Sequence, residues 1–106
     1  MGKISLKEFS QAIKEPWQPY EVAFIHGIAL RLAKIQGAYK WHTHENEDEF
    51  FLVIDGSITI DTEEESVTLN EDEGYIVKRG VKHRSRADKL ATILLIEPIA
   101  TKTRGE

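Results

Sequence analysis

The sequence predicts an all-β sandwich or barrel carrying one short helix. Three observations point there. From Tyr20 onward apolar residues recur with a period of two, turn residues interrupt that pattern every several positions, and only one stretch, near the start of the chain, has helical spacing. At 106 residues and 12.1 kDa the chain is expected to form a single domain, 1–106, large enough to bury a core without crosslinks.

The helix comes first. Ser5 is placed to cap it, with Glu8 three residues on, and Leu6, Phe9 and Ile13 make an apolar stripe that Pro16 ends. This predicts a helix over 6–14, packed on the outside of the main body. The strands follow in order: "YEVAFIH" to Gly27, "IALRLAKIQ" to Gly37, a short "YKWHTH", "EFFLVID" to Gly56, "SITIDT", "SVTL", "YIVK", "HRSRA" and "ATILLIE" against Pro98. The dipeptide "DK" at 88–89 reads as the turn between the last two, and the polar end "TKTRGE" reads as frayed. No repeat, low-complexity linker or second domain interrupts the series.

Composition excludes several functions. Lys plus Arg is 14 against 18 Asp plus Glu, a net charge of −4, which argues against nucleic acid as a partner. The basic strip "KRGVKHRSR" (78–86) reads as a solvated edge strand kept soluble by its charge. With no cysteine, a disulfide scaffold, a cysteine nucleophile and a thiolate metal site are all ruled out. No apolar run is long enough for a signal peptide or a membrane span, so the cytoplasm is the expected compartment and no membrane partner is expected.

The chemistry concentrates in "WHTHENEDEF", 41–50. On a strand over 40–44, His42 and His44 leave the same face, roughly 6.6 Å apart, and two imidazoles at that spacing can converge on one ion. Glu45 to Asp48 make the turn, and Glu49 opens the next strand beside the histidines. Phe51 and Val53 continue the same face, joined by Ile58 and Ile60, so an apolar cavity with the metal as its main polar feature is expected.

The spacing His42-x-His44, four residues, Glu49, six residues, Gly56, then Gly80 and His83 in "LNEDEGYIVKRGVKH", resembles the two motifs of the cupin superfamily. The likeness covers about residues 28–97 and is strongest to small single-domain cupins, the group often described as resembling mannose-6-phosphate isomerase. It departs at turn positions: Lys78 stands where a proline is usual, Asp72-Glu73 where Gly-Asp is usual, and Ala87 where an asparagine is usual. The resemblance implies a double-stranded β-helix, or jelly-roll, with a metal inside held by His42, His44, Glu49 and His83. Three imidazoles and a carboxylate suit Mn, Fe, Co, Ni or Zn and leave positions open.

Two functions then compete. One is an enzyme acting on a small oxygen-rich molecule such as a sugar or keto acid, by isomerisation, decarboxylation, lyase chemistry or dioxygenation, with Glu49 as the catalytic base. The other is a metallo-cupin that binds or senses a small molecule without turnover. Among other residues, Arg31 is either an inward-facing binder of a substrate anion or an edge arginine whose stem covers apolar surface. Asp48 is either a partner of a ligand histidine or a solvated turn residue. Trp41 is expected to pack in the core, while His26, Lys34 and Lys40 read as surface. "EFFLVI" and "ATILLI" are apolar on both faces, and a helix of this length leaves part of the outer face bare, so a homodimer is expected.

Overall fold

The computed structural model describes residues 2–105. The chain forms one helix, α1 (Leu6–Ala12), and seven strands: β1 (Tyr20–Ile25), β2 (Ile28–Ala38), β3 (Glu49–Asp55), β4 (Ile58–Thr62), β5 (Ser66–Leu69), β6 (Gly74–Val77) and β7 (His83–Pro98). Ser5 caps α1 as its sequence requires, its hydroxyl accepting the Glu8 N–H at 3.2 Å. The helix is two residues shorter than expected. Ile13 leaves the helical conformation at φ −77°, ψ 120°, and turns its side chain into the body, where only 4 % remains exposed.

Every strand pairing is antiparallel, and the order β1-β2-β7-β3-β6 makes one path, with β5-β4 joined to β7 beside it. β7 is the hub. Its first part, His83–Arg86, pairs with β4, its second part, from Thr92 to Ile96, pairs with β3, and β2 runs along both. The sheet therefore branches at β7 and closes on itself as a jelly-roll, the all-β fold expected. The "DK" turn is not there. Asp88, Lys89 and Leu90 stay extended and exposed within β7, and the register against β2 slips between Ile35 and Gly37 to take up the extra residues. The basic strip is likewise no edge: its second half lies in the middle of the sheet, paired on both sides.

Inward-facing residues alternate along the strands and meet in a core of Ile35, Phe51, Val53, Ile58, Ile60 and Ile93, each at most 4 % exposed. Fully burying one such side chain stabilises the fold by about 1.5–3 kcal/mol. Val53, Ile58 and Ile60 are packed solid in this core, so the expected cavity narrows to the Phe51 end. A second cluster forms on the outer face. There Ile13 meets Leu32 and Leu94, with Leu6 and Phe9 of α1 packed over them. Leu30, Leu52, Ile54 and Ile96 lie around this cluster and stay half-exposed.

Candidate metal centre

Residues 40–44 are not a strand. A single bridge pairs His42 with His83, each N–H donating to the other's carbonyl at 2.9 Å, and the chain then bends so that His44 also turns inward. The Gly80 N–H donates to the His44 carbonyl at 2.8 Å and ties the loop before β7 to this turn. The four residues singled out in the sequence are thus brought together from three places: the 42–44 turn, the start of β3 and the start of β7. The ring of His42 lies 5.1 Å from that of His44 and 4.4 Å from that of His83, centre to centre. One ligand atom from each of His42, His44, Glu49 and His83 falls within 4.8 Å of the others. Two ligands on opposite sides of an ion, each at about 2.1 Å, would lie ~4.2 Å apart, so the cluster has the dimensions of a first coordination sphere.

Hydrogen bonds at the outer nitrogens aim the inner ones. His42 Nδ1 donates to the Lys40 carbonyl and His83 Nδ1 to the Val81 carbonyl, both at 2.9 Å. A carbonyl only accepts, so Nδ1 carries the proton in each ring and Nε2 keeps its lone pair for the centre. Burial and the two neighbouring histidines lower the basicity of His42, against the Lys40 carbonyl that favours its charge.

Glu49 is 1 % exposed, with its Oε1 3.4 Å from His44 Nε2 and 3.5 Å from His83 Nε2. Burial pushes its carboxyl up, and the His44 and His83 rings beside it outweigh that and hold it well below the usual range. Glu49 Oε1 and His83 Nε2 are nonetheless buried with no hydrogen-bond partner among the described residues. Leaving such groups unsatisfied costs about 1–3 kcal/mol each, and a cation at their focus would satisfy both. The donor set fits a divalent transition metal.

Sequence reasoning missed Glu97. It is 1 % exposed at the end of β7, its carboxyl beside that of Glu49, and burial together with Glu49 pushes its pKa up to about 8. Two carboxyls in one buried space do not both ionise readily, and Glu97 is the one whose carboxyl is pushed up, against the Arg31 and Thr103 donors that favour its charge. The signal was present: Glu97 continues the inward alternation of Ile93 and Leu95, an acid in an apolar register.

Arg31 is neither an anion site nor an edge residue. It is 7 % exposed and fully engaged inside the protein: Nη1 donates to Glu97 at 2.6 Å and Nη2 to Glu21 at 3.1 Å. Asp48 turns away from the histidines and accepts the Arg79 backbone N–H at 2.9 Å, as a surface turn residue would. Trp41 is outside the core, 40 % exposed, with the Arg84 guanidinium 5.1 Å above its ring. His26 is an exposed turn residue. Beside the cluster a cavity of about 40 Å³ is lined by His42, Glu49, Phe51, Ser85, Trp17 and Tyr39, the last two stacked at 4.8 Å.

Comparison with known proteins agrees with the fold. The crystal structure of a cupin-2 domain containing protein from Shewanella frigidimarina NCIMB 400 superposes with a TM-score of 0.88 at 29 % identity, over 90 % of this chain and 93 % of that one. Protein NMB1881 from Neisseria meningitidis gives 0.84 at 36 % identity, over 91 % and 98 %. The uncharacterized protein YdbB of Bacillus subtilis (strain 168) is 28 % identical over 94 residues, 88 % of this chain and 83 % of that protein. The family model for the cupin domain, Cupin_2, matches residues 31–97, a stretch that contains all four clustered residues and most of the barrel, and the chain belongs to that family.

Proposed function

We propose that this protein is a metallo-cupin in which His42, His44, Glu49 and His83 hold one divalent transition metal, and that it acts on a small oxygen-rich molecule bound at that centre. The observation that carries the reading is the convergence of four ligand atoms within 4.8 Å, with buried Glu49 Oε1 and His83 Nε2 lacking any hydrogen-bond partner among the described residues. When bound, the metal supplies Lewis acidity or a redox centre to a chelating ligand such as a sugar, keto acid or diol. The chain's own residues set the rest. Phe51, Trp17 and Tyr39 give the ligand an apolar wall, and Glu49, on leaving the metal, is the carboxylate that the site offers as a base. Isomerisation, decarboxylation, lyase chemistry and dioxygenation all use this set of parts.

The protein works as a single domain in the cytoplasm and as a homodimer. No helix among the described residues is long and apolar enough to cross a membrane. Pairing across the sheet places Ile76, Phe50, Ile96 and Leu30 in one outward row, with Ile76 52 % exposed, which supports a face that a second copy covers.

Elemental analysis tests the metal. Purified protein should carry close to one transition-metal ion per chain, and His42→Ala with His44→Ala should remove it. Retention below pH ~6.5 should weaken, because protons then compete for the imidazole ligands. Stoichiometric metal surviving the double substitution would overturn the assignment.

A further inference from the structure

The segment after β7 is folded back over the cavity. Ile99 and Thr101 each accept a hydrogen bond from Arg31 through their carbonyls at 2.9 Å, and Thr101, where fraying was expected to begin, is only 5 % exposed. Thr103 Oγ1 accepts from Arg31 at 3.0 Å and donates to Glu97. Farther on, the Tyr39 hydroxyl donates to the Arg104 carbonyl at 2.8 Å. Gly105, at φ +102°, lies so close to His42 that a β-carbon there would stand 2.9 Å from His42 Cβ. Thr103 and Arg104 thereby complete the wall of the cavity.

This arrangement limits what can enter. A space of about 40 Å³ holds a few waters. Sites for small organic ligands run to roughly 300 Å³ or more. Most of the other walls are strands of the barrel, and the loop residues Trp17, Tyr39 and His42 are tied to those strands by backbone N–H bonds to the Lys34, Ser85 and His83 carbonyls, so they cannot yield without breaking these pairings. The segment can. Beyond the Arg31 clasp its holds are the Thr103 hydroxyl, an exposed hydrogen bond to Tyr39, a turn from the Gly105 N–H to the Lys102 carbonyl, and contact with His42. We propose that residues 102–105 are a lid on the cavity, hinged at Thr101 where Arg31 anchors it, and that ligands of more than a few atoms reach the centre only when it lifts. Covering of the cavity stands on its own; control of access to a metal rests on the function proposed above.

The two parts have separate readouts. Trp17 lines the cavity, and Trp41→Phe leaves it as the sole tryptophan of a chain that has two. In that background, without metal, acrylamide quenching of Trp17 should rise about threefold when the chain is ended at Thr101, and less in Gly105→Ala, whose β-carbon pushes the lid off His42. If the shortened chain fails to fold, Gly105→Ala alone decides the matter. In cobalt-loaded protein, the rate at which phenanthroline strips the metal should level off with chelator concentration in the full chain, because lid opening becomes limiting. It should stay linear and faster in the variants. Unchanged quenching, or stripping that is linear in the full chain as well, would overturn the lid. A chain that takes up no cobalt at all would instead refute the metal centre, leaving the quenching result to stand for the covered cavity.

Discussion

Asp61 shows how a single side chain ties β4 to β5 and β7. It is 4 % exposed and accepts hydrogen bonds from Arg86 Nε at 2.8 Å, Arg84 Nε at 2.9 Å and Ser66 at 2.6 Å. Arg86 above all, then Ser66 and Arg84, hold its carboxyl well below the ordinary range, against the burial that would raise it. A carboxyl whose folded pKa is depressed adds stability above its unfolded value of about 3.9, and that contribution is lost as pH falls below it. Asp61→Asn should therefore lower stability by about 1–3 kcal/mol at neutral pH. The difference from the parent should shrink as pH falls through about 4 toward 2, as followed by urea unfolding at several pH values. A constant difference down to the lowest pH would refute the charge argument. At this scale the cluster of His42, His44, Glu49 and His83 was legible in the sequence because their spacing resembles a family pattern. The partners of Arg31 were not. Its contacts to Glu97, Thr101 and Thr103 span 66 to 72 residues, and no local pattern records a pairing of that range.

Strands and their ends were legible where a backbone requirement marks them. Gly56 ends β3 at φ +88°, where a β-carbon would stand 3.1 Å from Ala91 Cβ, so both conformation and space ask for glycine. Gly74 has a different reason, hidden from sequence. It opens β6 opposite Leu52, and a β-carbon there would meet the Phe50 ring and come 2.9 Å from the Phe51 carbonyl. The ring can swing aside but the carbonyl is backbone. Gly74→Ala should cost about 1–3 kcal/mol and loosen β6 from β3. Chemical denaturation gives the first number, and faster amide exchange in Gly74–Val77 than in β7 gives the second. An unchanged midpoint would show that the pair of strands can part without loss. Two element-level readings failed for one cause. A charged pair such as Asp88-Lys89 looks like a turn, and residues 40–44 look like a strand, because the period-two rule sees polarity and does not see a bulge or a bend that a neighbouring strand imposes.

For the whole molecule, the apolar outer face decides the state of association. Helix α1 covers Leu32 and Leu94, while Ile76 at 52 %, Ile25 at 57 % and the half-exposed Phe50, Leu30 and Ile96 stay accessible. Sedimentation should show a species of twice the 12.1 kDa chain, and Ile76→Lys with Phe50→Lys should return it to a monomer. A parent protein that sediments as a monomer at micromolar concentration would mean that the helix and β1 suffice as cover.

β7 also has a consequence in time. It pairs with β2, β3 and β4, and among the described strands it is the last to be synthesised. Until residue 98 has emerged, β2 and β3 lack the strand that lies between them, and His83, one of the four clustered residues, has no fixed place. Assembly is then a late, concerted closure over long sequence separations, of the kind that takes milliseconds to seconds in all-β domains. A nascent chain in that interval exposes two apolar strands on both faces. Before β7 arrives, the chain is therefore most open to wrong pairing at the free edges of β2 and β3.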